Sequence, residues 1–348
     1  KKSDHEKLRI VWICHFMSQS IRKKLLIPLA LKELAPWIPL GIEEFKNRND
    51  IELYVISPLN SILKDIRISE DNIHYYFVKV GIPFMRRGWP EWFDLELWLN
   101  YFPFNIRVRR FIDQIRPDLI NLIGDENAYY SSSILKIGKY PVLVNIQGFL
   151  TLNTELEIRN SKIVKKRIFI EKEILKKMNH FGIEATSMEK YIRTYNPSAK
   201  MYWFHFPFAK TKIDTIPDKE YDLVFFARII KMKGIEDAIK ALSKARQFKP
   251  DINMEIIGNA DHKYLISLKQ LISDLNLTEN IEFKGFIPTQ KEMHLEVMKA
   301  RISILPTYND TIPGTIVESM LLGLPVISYR TGGIPDINKD NEHIILVD

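Results

Sequence analysis

The chain has 348 residues, 46% hydrophobic and 27% charged, with a formal net charge of +7, and this length exceeds what one core usually serves, so two domains are expected. No apolar run reaches the roughly 18 to 20 residues of a bilayer-spanning helix. The mild basic excess suits an anionic ligand, an anionic membrane face or nucleic acid alike and does not choose among them.

The charged opening KKSDHEK leads into the apolar stretch Leu8 to Cys14, too short and wrongly flanked for a secretory signal, so a cytoplasmic location is expected. The single cysteine, Cys14, agrees with a reducing compartment, and its neighbours Ile10 to Ile13 mark a buried strand rather than a nucleophile. Lys1 in place of an initiator Met, and the ending on the strand-like run IILVD, lead us to expect a piece of a longer protein.

Short β-branched runs then alternate with helical patterns, the signature of crossover helices on a mostly parallel sheet. Leu8 to Cys14, Ile51 to Ile56, Ile73 to Val78, Asp118 to Ile123 and Val142 to Ile146 read as strands, with helices at Val108 to Ile115 and Ser161 to Lys177. In this half SQSIRKK brings Arg22, Lys23 and Lys24 before the apolar run LLIPLAL, which fits an anionic bilayer or a phosphate-bearing lipid and equally a solvated helix edge. The aromatic stretch from Arg86 to Trp92, continuing to Trp98, Tyr101, Phe102 and Phe104, suits sugar stacking or core packing.

The polar, Pro217-containing segment 211–220 lacks apolar periodicity and is expected to link a first domain, 1–210, to a second, 221–348. The strand and helix rhythm restarts there. Strands are expected at Leu223 to Phe226, Met254 to Ile257, Ile281 to Phe283, Ile302 to Leu305 and Pro325 to Ser328, and helices at Ile235 to Ala245, Tyr264 to Leu275, Lys291 to Ala300 and Thr315 to Leu322. The expected architecture is therefore α/β, two Rossmann-like doubly wound domains facing a cleft. Residues just after the strands are the ones that meet ligands.

After the first of these strands comes Ala227-Arg228-Ile229-Ile230-Lys231-Met232-Lys233-Gly234. Arg228 offers a planar fork for phosphate oxygens and Lys233 a movable point charge; a solvated basic turn fits the same residues. After a later strand, Pro306 to Glu318 holds Pro313 and Gly314 at a helix start. There the backbone N–H groups of Gly314 and Thr315 can cradle a phosphate and Glu318 can accept from both hydroxyls of a ribose. A carboxylate near a helix start is also simple complement to the helix dipole.

The spacing of these pieces resembles glycosyltransferase family 4, the retaining group with the two-domain GT-B fold. That family carries a Gly-Arg-Leu-x-x-x-Lys-Gly-like turn, a Glu-x7-Glu loop and helix, a Gly-x-Pro-Val strand and a Gly-Gly-x-x-Glu loop. Here they read Ala227 to Gly234, Asp310-x7-Glu318, Gly323-Leu324-Pro325-Val326 and Gly332-Gly333-Ile334-Pro335-Asp336. The resemblance implies that Arg228 and Lys233 bind a donor diphosphate, Glu318 the ribose and Asp310 the transferred sugar, with Gly314 and Thr315 lining the phosphate pocket. Gly258, in Ile256-Ile257-Gly258-Asn259, would lie near the base. Ala227, Asp310 and Asp336 depart from the family's Gly, Glu and Glu, and Asp310 is one methylene shorter. Gln147, where the family often has His, cannot serve as acid or base, and Asp125 or Glu126 could meet an acceptor hydroxyl.

The implied function is transfer of a sugar from a nucleotide-diphosphate sugar to a carbohydrate or lipid-linked acceptor, with retention, in bacterial polysaccharide or glycan assembly. The first domain would serve the acceptor and the second, expected to be truncated at its end, the donor. No Asp-x-Asp triplet and no His or Cys pair at metal-ligand spacing occurs, so no cofactor and no metal are expected and cations with helix ends would carry the diphosphate charge. No nucleic-acid motif is present; peripheral contact with the inner membrane face is a further expectation. A sugar-nucleotide epimerase of the same fold and a non-catalytic sugar-nucleotide-binding module remain open alternatives.

Overall fold

β-branched and aromatic runs flanked by amphipathic helices build two sheets, each in its own unit. The computed structural model describes residues 7–27, 37–81, 98–152, 161–208, 210–338 and 343–348. One unit comprises Lys1–Glu184 and Met188–Pro207, the other Ala185–Ser187 and Phe208–Asp348.

The first sheet has eight strands: β1 (Leu8–Ile13), β2 (Ile51–Leu59), β3 (Ile66–Glu70), β4 (Ile73–Lys79), β5 (Leu119–Ile123), β6 (Val142–Asn145), β7 (His180–Ile183) and β8 (Lys200–Trp203). Their order is β3-β4-β2-β1-β5-β6-β7-β8. β3 runs antiparallel to β4, whereas the other pairs are parallel. β1 is central; Val11 and Ile13 on it, and Cys14 just after it, are fully buried. Phe104, Val108, Phe111, Ile112 and Ile115 fall on one buried face of the helix Phe102–Ile115, which ends where Arg116 turns left-handed, as a 3.6-residue repeat requires.

The second sheet contains β9 (Tyr221–Phe226), β10 (Met254–Ile257), β11 (Ile281–Gly285), β12 (Ala300–Leu305), β13 (Val326–Tyr329) and β14 (Ile344–Val347), in the order β11-β10-β9-β12-β13-β14. Every pair is parallel. This is the doubly wound order, with its reversal between β9 and β12. The central strands are apolar on both faces: Phe225, Ile256 and Ile304 belong to one core cluster, Val224, Phe226 and Ile257 to another.

The α/β class of two Rossmann-like units is the expected one, and most strand positions agree. β3, β7 and β8 were not expected. β3 alternates between half-buried and exposed residues on an edge, β7 is only four residues long, and β8 is largely exposed, so none carries an apolar run. The helix expected to reach Ala300 stops at Val297, because Ala300 already pairs with Tyr221 at the start of β12.

The change of unit falls between Pro207 and Phe208, and segment 211–220 is bound to the second unit. Ile213 packs on its core, Thr211 meets His294 at 2.6 Å, and Lys219 donates to the carbonyls of Met298 and Ala300 at 2.8 Å each. The stretch Arg86 to Trp92 and most of LLIPLAL lie outside the described residues. Among the described residues no helix is long and apolar enough to cross a membrane.

Two glycines separate backbone strain from steric collision. Gly234 has φ +72°, and a Cβ there would collide with the Pro306 carbonyl; Gly285 has φ +71° with nothing within 4 Å. A left-handed conformation costs an L-residue about 1–2 kcal/mol. Gly285→Ala is therefore expected to lose about that much stability in urea unfolding, and Gly234→Ala clearly more; equal losses would show that the Gly234 loop relaxes freely.

Candidate donor site

The order reversal between β9 and β12 leaves a crevice at their carboxyl ends, and both loops that border it carry the residues singled out in the sequence. After β9 the chain passes Arg228 to a short turn, Lys231–Lys233, and Gly234 opens the helix Ile235–Ala245. After β12 it passes Asp310 to the helix Gly314–Leu321, preceded by Pro313.

Backbone contacts lock the loops together. Tyr308 N–H donates to the Met232 carbonyl at 3.0 Å and the Thr307 hydroxyl to the same carbonyl at 3.2 Å. Thr307 itself is fully buried, so its bond is shielded from water. Lys233 and Asp310 thereby meet as an ion pair, with side chains 17% and 21% exposed, and Thr307 Oγ1 lies 3.3 Å from the same Asp310 oxygen. Arg228 is exposed and makes no side-chain hydrogen bond or ion pair with any described residue. The two expected phosphate cations thus differ: one is open to solvent, the other is held by the shortened acid.

From the other side, Gly332 and Gly333 press against the Asp310 loop. A Cβ on Gly332 (φ +55°) would collide with the Asp310 carbonyl, and Gly333 N–H donates to Thr311 O at 2.6 Å. Asp336, which follows them, accepts from the Thr186 backbone N–H at 2.6 Å and its hydroxyl at 2.9 Å. Gly258 is close-packed likewise, since a Cβ there would collide with Ala227 O. These glycines are required by backbone approach as well as by any ligand.

No side chain caps the helix Gly314–Leu321 at its start, so the N–H groups of Gly314 and Thr315 are donors for an anion. Glu318, one turn in, is not alone. Gln290 Nε2 donates to its Oε1 at 3.1 Å, and His294 Nε2 lies 3.6 Å from that oxygen. Gln290 and His294 are four residues apart on the helix Gln290–Val297 and so share a face. The helix is expected from the sequence but this face is not, because both the partner carboxylate and Thr211 are distant in the chain.

Residues 208–348 match the family described as "Glycosyl transferases group 1". The match lies within the second unit. The chain is similar to a 2-deoxystreptamine glucosyltransferase of Streptomyces kanamyceticus, 26% identical over 112 residues, 32% of this chain and 28% of the relative. An amylovoran biosynthesis glycosyltransferase of Erwinia amylovora is 32% identical over 121 residues, 33% of this chain and 29% of the relative. In fold it resembles the Anabaena protein HepE solved with UDP and glucose: TM-score 0.60, 13% identity, 98% of this chain and 85% of that one. The matched segment thus spans less than a third of the length of either curated relative.

Outside the matched segment, the first unit has its own order reversal, between β1 and β5, and the loop after β5 carries Gly124, Asp125 and Glu126. Asp125 is fully buried and neither carboxyl oxygen has a hydrogen-bond partner. Burial, then the nearby Glu171 and Glu126 carboxyls, push it well above the ordinary carboxylate range. Glu171 is engaged instead, accepting from the N–H groups of Leu150 at 2.7 Å and Thr151 at 3.1 Å, and so fixes the chain just after Gln147. Cys14 is buried and its thiol is pushed up by desolvation, which suits packing rather than reactivity. Burial also raises Glu184 to about 7, against a bond from Phe206 N–H that lowers it.

These raised acids set a sign for pH dependence. An unfolded carboxyl ionises near about pH 4, whereas the folded groups keep their protons to higher pH. The folded state therefore binds more protons above about pH 4, and stability falls as pH rises, by about 1.4 kcal/mol per unit and per group. For Glu184 that loss runs up to about pH 7. Chemical unfolding at pH 5, 6 and 7 is expected to show declining stability in the wild type and a flatter slope in Glu184→Gln and Asp125→Asn; unchanged slopes would show that these groups ionise freely in the fold.

Proposed function

We propose that this chain is a glycosyltransferase that moves a sugar from a nucleotide-diphosphate sugar to a carbohydrate or lipid-linked acceptor, with retention of configuration, in bacterial polysaccharide or glycan assembly. The observation that carries the reading is the meeting of Lys233, Asp310 and an uncapped helix start, with Glu318 one turn further in, at the order reversal of the second sheet. The similarity to two glycosyltransferases, of Streptomyces kanamyceticus and Erwinia amylovora, supports it.

In this reading Arg228 captures the diphosphate from solvent, Lys233 and the N–H groups of Gly314 and Thr315 hold it, and Glu318 takes the ribose hydroxyls. Gly258 leaves the backbone after β10 close to the base. Departure of the nucleoside diphosphate builds negative charge on its terminal phosphate. Preorganised cations and helix N–H groups stabilise that charge without reorganising. Asp310 orients the sugar and is not required as a nucleophile. The residues supply phosphate neutralisation through side-chain cations, so no metal or cofactor is invoked.

Calorimetry with UDP-, GDP- and ADP-sugars tests the reading, and is expected to select one base. Arg228→Ala and Lys233→Ala should each weaken that donor by about tenfold or more, the worth of a charge-assisted hydrogen bond. Full retention of affinity and turnover by both variants would place the phosphate site elsewhere. Release of free nucleoside diphosphate should require acceptor; steady acceptor-free conversion of the sugar would indicate an epimerase instead.

Asp310→Asn gives a result of opposite sign. Removing the carboxylate that competes for Lys233 is expected to tighten the free nucleoside diphosphate several-fold, about 1 kcal/mol for a partly exposed pair, while lowering transfer. Weaker diphosphate binding in this variant would mean that Asp310 positions the lysine rather than competing with the ligand.

A further inference from the structure

The Glu318 carboxylate is backed by a buried histidine, itself held by a half-buried threonine, that the proposed donor site leaves without a role. His294 is 2% exposed. Its Nδ1 lies 2.6 Å from Thr211 Oγ1, and its Nε2 points toward Glu318 Oε1 at 3.6 Å without a hydrogen-bond partner. A buried ring nitrogen facing a carboxylate oxygen is favourable only if it carries a proton, since two lone pairs would otherwise oppose each other. With Nε2 protonated, the neutral ring accepts from the Thr211 hydroxyl at Nδ1 and presents N–H to Glu318.

The ring cannot easily turn away from this arrangement. Thr289 fixes the start of its helix, accepting from Glu292 N–H at 3.3 Å and donating to the Glu292 carboxylate at 2.7 Å. Met293 and Val297 on the same helix pack into the core around Val224 and Phe226. Gln290 adds a second donor to the same oxygen at 3.1 Å. Both contacts fall on Oε1, and Oε2 has no partner among the described residues. The carboxylate is therefore gripped by one oxygen and offers the other.

We infer that His294, held by Thr211, is a positioning residue that sets the Glu318 carboxylate for the ribose hydroxyls of the donor nucleotide. The inference rests on the reading of Glu318 as the ribose ligand. It assigns His294 no contact with the donor: a drift of the carboxylate by even an ångström would cost ribose recognition and leave diphosphate binding intact.

The test compares affinity for the nucleoside diphosphate of the preferred base with that for its 2′-deoxy counterpart, by calorimetry on the full chain. In the wild type the ribose form is expected to bind about tenfold or more tighter, and Glu318→Ala to bring the ratio near one. His294→Leu, which keeps bulk but removes the donor, should cut the ratio to within about threefold of the Glu318→Ala value. His294→Gln, whose amide can reach the Nε2 position, should restore most of it. Inorganic pyrophosphate should bind His294→Leu as it binds wild type, a result that general disruption of the unit would not give. A wild-type ratio in His294→Leu, alongside a collapsed ratio in Glu318→Ala, overturns the role of His294 and leaves the donor site standing. If His294→Leu does not fold, Thr211→Val decides: a ratio at least about threefold below wild type supports the chain of contacts, and an unchanged ratio overturns it. Absence of binding of every nucleotide to wild type, or a wild-type ratio near one, removes the donor-site reading of Glu318 and this inference with it.

Discussion

The second unit depends on a close approach of two backbones. Gly234 can face the Pro306 carbonyl only because it lacks a Cβ, and that approach lets Tyr308 N–H and the Thr307 hydroxyl reach the carbonyl of Met232. Everything chemical about the site follows from this seam. Lys233 and Asp310 lie 77 residues apart in sequence and meet because the strands before them are neighbours, β9 beside β12. The Gly332-Gly333 pair completes the clamp from β13, so three consecutive strand ends fix one loop. A site built on strand ends inherits the rigidity of the sheet, as ligand recognition within fractions of an ångström requires.

The same clamp explains what could be read from the sequence and what could not. Strands such as β9, β10 and β12 are apolar on both faces and stand out as runs; β3, β7 and β8 are short, alternating or exposed and leave no such trace. Arg228, Lys233, Asp310 and Glu318 were legible because motif spacing encodes loops that a parallel sheet brings together. The ion pair between two of them was not, since spacing carries no side-chain partners. His294 and Gln290 were invisible for the same reason: their helix was expected, but the face it turns to Glu318 is set by packing of Met293 and Val297. The family resemblance also places Gly258 near the base and Gly332 in a motif loop, whereas both are already required by backbone collisions.

The two order reversals carry opposite chemistry. In the second unit the cations are half-buried or exposed and find partners or solvent; in the first, Asp125 sits buried with neither carboxyl oxygen hydrogen-bonded to a described residue, and burial raises it above the ordinary carboxylate range. A carboxyl whose charged form is disfavoured by burial suits an uncharged ligand or packing, and is a poor partner for a phosphate. On the proposed reading, this difference suits the second unit to the anionic donor and the first to a neutral acceptor.

The Lys233–Asp310 pair gives the donor reading a physical consequence. At the effective dielectric of a partly exposed site, unit charges in contact attract by about 4 kcal/mol before desolvation is counted, and most of that is offset by the water each group gives up. A diphosphate brings more charge than one carboxylate and can replace it at the lysine with little net change from that group alone. Selectivity then comes from what the exchange releases. On the donor reading, Asp310, displaced from Lys233 but still 3.3 Å from the Thr307 hydroxyl and next to Thr311, whose carbonyl Gly333 N–H holds, becomes a free acceptor beside the phosphate that has taken its place, near the hydroxyls of the attached sugar. A bare nucleoside diphosphate strands that carboxylate next to like charge, and only the sugar-bearing donor satisfies it. On that reading the resting ion pair couples phosphate capture to sugar recognition, without any motion beyond the exchange of one partner.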